Sequence, residues 1–227
     1  MLPTYKRVFH FFGYFSCIIL AIILPLSSLA SDRISLPFSN IYLNRAAARY
    51  GISAKRRLKN WATLLKNNRN RPEEEKLQIV NRFFNKIPYV SDYEHWNQPD
   101  YWATPAEMLA SYGGDCEDYA IAKYFTLVTL NVDPNKLKIT YVMARTDHTI
   151  LTHMVLAYYP RPQAIPLVLD NLIKQILPAN KRPDLTPVYA FNGEGLWTSK
   201  PQNSQRVGSS GKIRFWQEMR NRIGKEF

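Results

Sequence analysis

Cysteine and glycine are both scarce in this sequence, and each scarcity excludes a class of protein. Two cysteines among 227 residues exclude a disulfide scaffold and any cysteine-rich zinc site. Nine glycines exclude collagen-like and glycine-rich low-complexity chains. A hydrophobic fraction of 46%, with 21% charged residues, is instead typical of a chain that folds around a core. The length suits one domain preceded by a targeting segment.

The first thirty residues differ from the rest of the chain. Lys6 and Arg7 precede a charge-free run of 24 residues, from Val8 to Ser31, and small residues lead up to Ala30. This pattern predicts a secretory signal peptide at 1–30 that is cut after Ala30. The alternative is an uncleaved membrane anchor, because a run of this length can span a bilayer.

Both interpretations place the predicted domain, residues 31–227, outside the cytoplasm. This location argues against nucleic acid as a partner and limits membrane insertion to the N-terminal segment, if that segment is uncleaved. Loss of Lys6 and Arg7 would lower the net charge from +12 to +10. This positive excess is either a solvated face or an attraction to anionic lipid or to an acidic substrate.

The distribution of hydrophobic residues and helix-capping signals predicts an α+β fold. Helical spacing, helix-start signals and glycine breaks fill the first half of the chain, whereas alternating apolar residues and turn signals fill the second. Helices followed by strands favour an antiparallel sheet covered by helices. The predicted helices cover about 41–67, from 72, from 104 and from 115, with a closing helix at 212–223. The predicted strands cover 138–145, 152–159, 166–170, 188–191 and 196–199.

Cys116 is the single cysteine of the predicted domain, since Cys17 belongs to the signal segment. A lone thiol has no intramolecular disulfide partner and is prone to oxidation. It is either a small buried hydrophobe or a nucleophile. Its position favours the nucleophile: Asp115 is a candidate N-cap, so Cys116 would be the first residue of a helix. Unpaired amides and the helix dipole favour a thiolate there.

A cysteine nucleophile needs a base, and three histidines are available. His95 and His148 lie in polar, loop-like surroundings, whereas His153 lies in a predicted strand. If the strands of His153 and Asp170 pair across a turn centred between Arg161 and Pro162, the two residues are directly opposite and Asp170 can orient the imidazole. The alternative is a purely structural polar pair in a sheet.

Three acids next to Cys116 raise a further question. Asp115, Glu117 and Asp118 place negative charge beside a thiol that must ionise, and they would raise its pKa. A bound Ca²⁺ with these carboxylates as ligands would remove the conflict. The alternative is that they are ordinary first-turn acids, which the helix dipole favours.

Four blocks of the sequence form a recognisable set: Tyr101-Trp102-Ala103-Thr104-Pro105, Gly114-Asp115-Cys116-Glu117-Asp118-Tyr119, His153-Met154-Val155-Leu156 and Leu169-Asp170-Asn171. Together they resemble the bacterial transglutaminase-like cysteine proteinases. More narrowly, they resemble the LapG-type periplasmic proteases. The resemblance covers most of residues 31–227 and implies a papain/transglutaminase-like fold, with the nucleophile at a helix N-terminus packed on the antiparallel sheet. It also implies that Cys116 is the nucleophile, His153 the general base and Asp170 its orienting group, and that Asp115, Glu117 and Asp118 bind calcium.

The same resemblance implies a substrate and a regulator. Members cleave the N-terminal region of a large repeat adhesin, typically at a di-alanine site, and so release cells from biofilms. An inner-membrane cyclic-di-GMP receptor inhibits them through its periplasmic domain. Two alternatives remain open from the sequence: an acyl transferase that uses the same triad, and a catalytically silent periplasmic binding module.

Overall fold

The computed structural model describes residues 38–200 and 203–227, so the predicted signal peptide at 1–30 lies outside the described residues. None of the helices in these described ranges has both the length and the apolar character needed to cross a membrane. The α-helices of these ranges are α1 Asn40–Tyr50, α2 Ile52–Asn68, α3 Glu73–Phe84, α4 Asp92–Trp96, α5 Pro105–Ser111, α6 Cys116–Thr129 and α7 Arg214–Arg222. The strands are β1 Leu137–Arg145, β2 Ile150–Tyr158, β3 Leu167–Leu169, β4 Leu177–Pro178, β5 Leu185–Phe191, β6 Leu196–Lys200 and β7 Asn203–Gly208.

Local sequence signals explain where several helices begin and end. The region predicted as helical from 41 to 67 is divided in two, because Gly51 takes a φ of 82° and ends α1. Pro72 precedes α3, whose first turn is acidic, as the positive end of the helix dipole favours. Thr104 and Glu107 form a capping box at the start of α5. The predicted helix starts are therefore confirmed.

The strands form one sheet in the order β4-β3-β2-β1-β5-β6-β7, and each neighbouring pair is antiparallel. Since side chains alternate along a strand, β2 presents two faces. Met154 and Leu156 join the main core with the helices. Val155 joins a smaller cluster with Val142 and Val168 on the other face. Helices packed on an antiparallel sheet confirm the predicted α+β class.

Helix α6 lies at the centre of the molecule. Every residue from Asp118 to Thr129 is buried, because α6 packs on β1 and β2 and is also in contact with α3 and α5. The C-terminal helix α7 closes this core: the fully buried Trp216 stacks on Phe125 and meets the ring of Phe191 on β5. The first residue of α6 is Cys116, so the central helix positions the predicted nucleophile.

Candidate active site

Cys116 occupies the first position of α6, with Asp115 as the N-cap residue, and this confirms the position predicted from sequence. The approach to the helix is held by a backbone hydrogen bond from Val90 N–H to the Gly114 carbonyl, at 3.0 Å. A Cβ on Gly114 would lie 2.7 Å from Oδ2 of Asp118. Only glycine therefore fits this turn without displacing Asp118, the third residue of the helix.

Two hydrogen bonds fix the surroundings of the Cys116 sulfur. The thiol donates to Oε2 of Glu117 at 3.0 Å, and the backbone N–H of Met154 donates to the sulfur. Burial raises the pKa of Cys116, and the charges of Glu117 and Asp115 raise it further, against the lowering effect of Met154. Met154 directly follows His153 in β2, so the fold brings the sulfur to the strand that carries the predicted base.

His153 and Asp170 are in contact, as predicted. Nε2 of His153 lies 2.8 Å from Oδ1 of Asp170, and both side chains are buried. The predicted register is nevertheless wrong by two residues. Leu156 pairs with Leu169, so continuing the ladder places Asp170 opposite Val155, diagonal to His153. The turn is centred between Pro162 and Gln163, where Gln163 takes a φ of 64°. An even offset leaves both side chains on one face, so the contact survives.

Arg182 is a site residue that sequence reasoning missed. Its Nη2 donates to Oδ2 of Asp170 at 2.8 Å and to Oδ2 of Asp184 at 2.7 Å. Burial alone would raise the pKa of Asp170, but hydrogen bonds from His153, the Leu172 N–H and Arg182 lower it to about 2. These hydrogen bonds therefore favour the ionised form of the carboxylate that holds His153. No spacing in the sequence marks Arg182, which directly follows the short 3₁₀ helix Ala179–Lys181 after β4.

Lys123 is a second charged residue that the sequence did not single out. It lies two turns after Cys116 on α6, is completely buried, and its Nζ has no hydrogen-bond partner among the described residues. The ammonium group faces the ring of Tyr119 at 5.7 Å. Burial lowers its pKa to about 7, although the charge of Asp170 acts in the opposite direction. The fold thus buries a weakly basic amine within the electrostatic influence of Asp170.

The other two histidines occupy different places. His95 belongs to the short helix α4, where its ring packs edge-on against Trp96 at 4.6 Å. The His95 ring also lies so close to Gly113 that a Cβ there would be 2.7 Å from it. His148 is exposed in the turn between β1 and β2. Of the three, only His153 lies on the strand whose next residue contacts the Cys116 sulfur.

The acids beside Cys116 form a cluster. Carboxylate oxygens of Asp115 and Glu117 lie within 4.8 Å of each other and of the Cys116 sulfur. Asp118 is buried, and its oxygens accept from the backbone N–H groups of Ala103 at 2.7 Å and Asp115 at 3.3 Å. Burial, followed by the charges of Glu117 and Asp118, raises the pKa of Asp115 to about 10. Burial and the charge of Glu117 likewise raise the pKa of Asp118 well above its usual range.

Two further acids that the sequence analysis missed extend this cluster. Asp92, at the start of α4, and Asp100, just before the Tyr101-Trp102 motif, each have a carboxylate oxygen within 4.8 Å of one on Glu117. Burial, opposed by a hydrogen bond from the Tyr101 N–H, raises the pKa of Asp92 to about 6. Neither acid stands at a spacing from Cys116 that predicts contact, because the tertiary fold alone brings them together.

Comparison with known families identifies this architecture. The model of the family described as bacterial transglutaminase-like cysteine proteinase BTLCP matches residues 56–186, which is more than half of the chain and includes Cys116, His153 and Asp170. The chain belongs to the bacterial transglutaminase-like cysteine proteinases. It is therefore a cysteine protease, and the family predicted from the motifs is confirmed. Comparison with curated proteins finds no match.

Solved structures of LapG from Legionella pneumophila are similar to this cysteine proteinase over most of its length. LapG treated with EGTA is 39% identical, with a TM-score of 0.71, and the match covers 83% of this chain and 100% of that chain. Calcium-bound LapG is 40% identical, with a TM-score of 0.69, and the match covers 82% of this chain and 99% of that chain. Calcium is thus a ligand of that relative.

The acidic cluster of this proteinase has the chemistry that a calcium ion needs. Calcium takes oxygen ligands, chiefly from carboxylates and carbonyls. Oδ1 of Asp115 is buried and has no hydrogen-bond partner among the described residues. Leaving a buried carboxylate oxygen unpaired is costly, and a cation would satisfy it. Asp115 and Glu117 therefore have the chemistry and spacing of calcium ligands and Asp118 lies close to Asp115, while the set of three ligands stays a prediction.

Proposed function

We propose that this protein is a calcium-dependent periplasmic endopeptidase that cleaves the N-terminal region of a large repeat adhesin at a di-alanine site. Cleavage would release the adhesin from the cell surface and promote biofilm dispersal. The periplasmic domain of an inner-membrane cyclic-di-GMP receptor would bind the protease and inhibit it. The similarity to LapG and the secretion-like pattern of residues 1–30 support this assignment.

One arrangement carries the catalytic part of the proposal. The sulfur of Cys116 lies against the backbone of Met154, and the adjoining His153 is held by Asp170 at 2.8 Å. Because Asp170 occupies Nε2, Nδ1 is the ring nitrogen left to exchange a proton with the thiol. Cys116 is then the nucleophile, His153 the general base and acid, and Asp170 the group that orients His153.

The reaction would proceed in two halves. As the sulfur of Cys116 adds to the scissile carbonyl carbon, His153 takes the thiol proton and later gives it to the leaving amine when the C–N bond breaks. Water then adds to the thioester while His153 accepts its proton, the C–S bond breaks, and His153 returns the proton to the Cys116 sulfur as the acid product leaves. The Cys116 N–H, at the start of α6, is an oxyanion donor because no intrahelical carbonyl is available to it.

The metal ligands would be Asp115, Glu117 and Asp118. When bound, calcium supplies positive charge next to the thiol and offsets the carboxylates that raise its pKa. Without that compensation, Glu117 accepts the hydrogen bond of the thiol, with Sγ and Oε2 3.0 Å apart. This competition between Glu117 and His153 for the same hydrogen is the physical reason to expect calcium dependence.

Access to the nucleophile is compatible with an extended polypeptide substrate. Tyr89 is 60% exposed, and its residue forms a parallel bridge with Gly114, two residues before Cys116. Burial, followed by the charges of Asp115 and Cys116, raises the pKa of Tyr89 to about 12. An exposed aromatic side chain at this position would contact side chains that flank the scissile bond.

A cleavage assay tests the proposal directly. The purified protein would be incubated with the N-terminal fragment of the organism's largest repeat adhesin, with calcium or with chelator, and products would be identified by mass. We expect one cut at a di-alanine site that requires calcium and is lost in Cys116→Ala. The control is Cys116→Ala with calcium, which should remain folded.

The other outcomes separate the alternatives. Product masses that show amine incorporation instead of hydrolysis would indicate an acyl transferase. Absence of any cut by folded, calcium-bound protein would contradict the adhesin as substrate. Inhibition is tested by adding the receptor's periplasmic domain, and an unchanged cleavage rate would contradict regulation by that partner.

A further inference from the structure

The acidic cluster reaches beyond the three predicted calcium ligands. Oxygens of Asp92, Asp100 and Glu117 lie within 4.8 Å of one another, and so do oxygens of Asp92, Asp115 and Asp118. Asp92 belongs to both groups, so it lies between the start of α6 and the segment that follows α4. Five carboxylates therefore converge from two parts of the chain.

Asp92 is buried in a way that hydrogen bonding within the protein does not explain. Only 4% of the residue is exposed. Its Oδ2 accepts from the backbone N–H of Tyr101 at 2.5 Å, whereas Oδ1 has no hydrogen-bond partner among the described residues. A buried carboxylate oxygen without a partner costs on the order of 1–3 kcal/mol or more. The neighbours of Asp92 include the other acids, so its carboxylate lies in a region of negative charge.

Asp100 shows the same feature from the other side. The indole N–H of Trp102 donates to its carboxylate, while its Oδ1 is buried and has no hydrogen-bond partner among the described residues. Trp102 is itself 5% exposed and stacks on Phe191 at 5.7 Å. The side chain of Asp100 is therefore held by the core in an orientation that brings it to Glu117.

We propose that Asp92 and Asp100 are additional ligands of the divalent cation, which they bind together with Glu117. The inference extends the proposed calcium dependence to two residues that lie outside the Asp-Cys-Glu-Asp motif. Calcium takes six to eight oxygen ligands, more than three carboxylates at the start of one helix readily supply. Two buried, unpaired oxygens from a second segment meet that need and require a cation to offset their charge.

The consequence is a structural link between two segments. Glu117 belongs to the first turn of α6, whereas Asp92 begins α4 and Asp100 lies in the loop after it. A cation bound by all three joins residues 92–100 to the helix that carries Cys116. A ligand set with this many oxygens also favours calcium over magnesium, which keeps most of its own water and needs a strict octahedron.

Calorimetric titration with calcium alone tests this inference without measuring activity. We expect Asp92→Asn and Asp100→Asn each to weaken calcium binding at least tenfold. Glu94→Gln is the matched control, because Glu94 is an exposed acid on the same short helix, and its affinity should equal that of the wild-type protein. If Asp92→Asn fails to fold, Asp100→Asn decides, since Asp100 is only partly buried.

Affinities within twofold of wild type for both variants would overturn the inference. If Asp115→Asn and Glu117→Gln abolish calcium binding in the same series, the proposed function stands and only the two added ligands are rejected. If the wild-type protein binds no calcium, both the inference and the calcium dependence are rejected. If it binds calcium but cleaves the adhesin fragment equally well in chelator, the dependence fails and the ligand assignment is judged by the titration alone.

Discussion

Glu117 accepts the hydrogen bond of the Cys116 thiol at 3.0 Å, so a predicted calcium ligand is in direct contact with the predicted nucleophile. Burial raises the pKa of the thiol and the charge of Glu117 raises it further. Glu117→Gln removes that charge. We expect the variant in chelator to react with iodoacetamide about tenfold faster than wild type at pH 8, which corresponds to about one pKa unit.

The control for this prediction is Glu94→Gln, which removes an exposed acid of α4 and should leave the alkylation rate unchanged. Mass spectrometry of the labelled Cys116 peptide measures the rate. Equal rates for Glu117→Gln and wild type would show that the carboxylate has no influence on the thiol.

Arg182 holds Asp170 from the side opposite His153, at 2.8 Å. Arg182→Met leaves a buried carboxylate with one charged partner fewer, and breaking such a pair typically costs about 3–5 kcal/mol. We expect the free energy of unfolding in urea to fall by about 3 kcal/mol. The exposed Arg161 provides the control, since Arg161→Met should change the free energy of unfolding by less than about 0.5 kcal/mol.

A double variant sharpens the test of Arg182. Asp170→Asn removes the charge that Arg182 neutralises, so Arg182→Met should cost less in that background than in wild type. A coupling energy of about 1 kcal/mol or more is expected for residues in one ion-pair network. Additive effects would mean that Arg182 stabilises the fold through packing and not through Asp170.

Lys123 should make stability depend on pH. Burial lowers its pKa to about 7 from the usual 10.5, so between these values the native state binds fewer protons than the unfolded chain. Stability contributed by this group therefore rises as the pH rises from about 7 towards 10. Lys123→Met removes the buried amine, and we expect its melting temperature to exceed that of wild type by several degrees at pH 7.

The comparison is made as the difference between variant and wild type at pH 6.5, 8 and 9.5, because other groups also titrate in this range. That difference should shrink as the pH increases. Lys66→Met alters an exposed lysine and should give no pH-dependent difference. A constant gap between Lys123→Met and wild type would show that the amine stays protonated in the native state across this range.

Gly114→Ala should damage the site through Asp118. The added Cβ would lie 2.7 Å from Oδ2 and 2.9 Å from Cβ of Asp118, so the start of α6 must shift. We expect a loss of about 1–3 kcal/mol of stability together with weaker calcium binding. Gly211→Ala is the control, because its nearest contact would be an ordinary 3.4 Å, and melting curves of the two variants that coincide would contradict the prediction.

The parts of the site that depend on local chemistry were predictable from the sequence. The capping residue before Cys116 correctly predicted the start of α6. The turn between two apolar runs correctly predicted strands β2 and β3. The pairing of His153 with Asp170 was predicted correctly, although the register was two residues off. The turn geometry at Gln163 shifts the ladder, and a positive φ at glutamine is not encoded in hydrophobic alternation.

The remaining site residues depend on tertiary packing. Arg182 reaches Asp170 from the end of the short 3₁₀ helix Ala179–Lys181, and Asp92 and Asp100 meet Glu117 only because the tertiary fold brings residues 92–100 to the start of α6. No periodicity connects such positions along the chain. The strands β4 and β7 were also missed: β4 has two residues, and β7 is mostly polar, so neither shows the alternation of a half-buried strand.

The burial of α6 also determines how the protein should lose activity in denaturant. From Asp118 to Thr129 the helix has no solvent-exposed side, so its amide hydrogens can exchange only when the whole domain opens. The nucleophile is attached to the first turn of this slowest-exchanging element. Inactivation and global unfolding should therefore coincide in a single cooperative transition. Cys116 should not leave its position in the site before the whole domain unfolds.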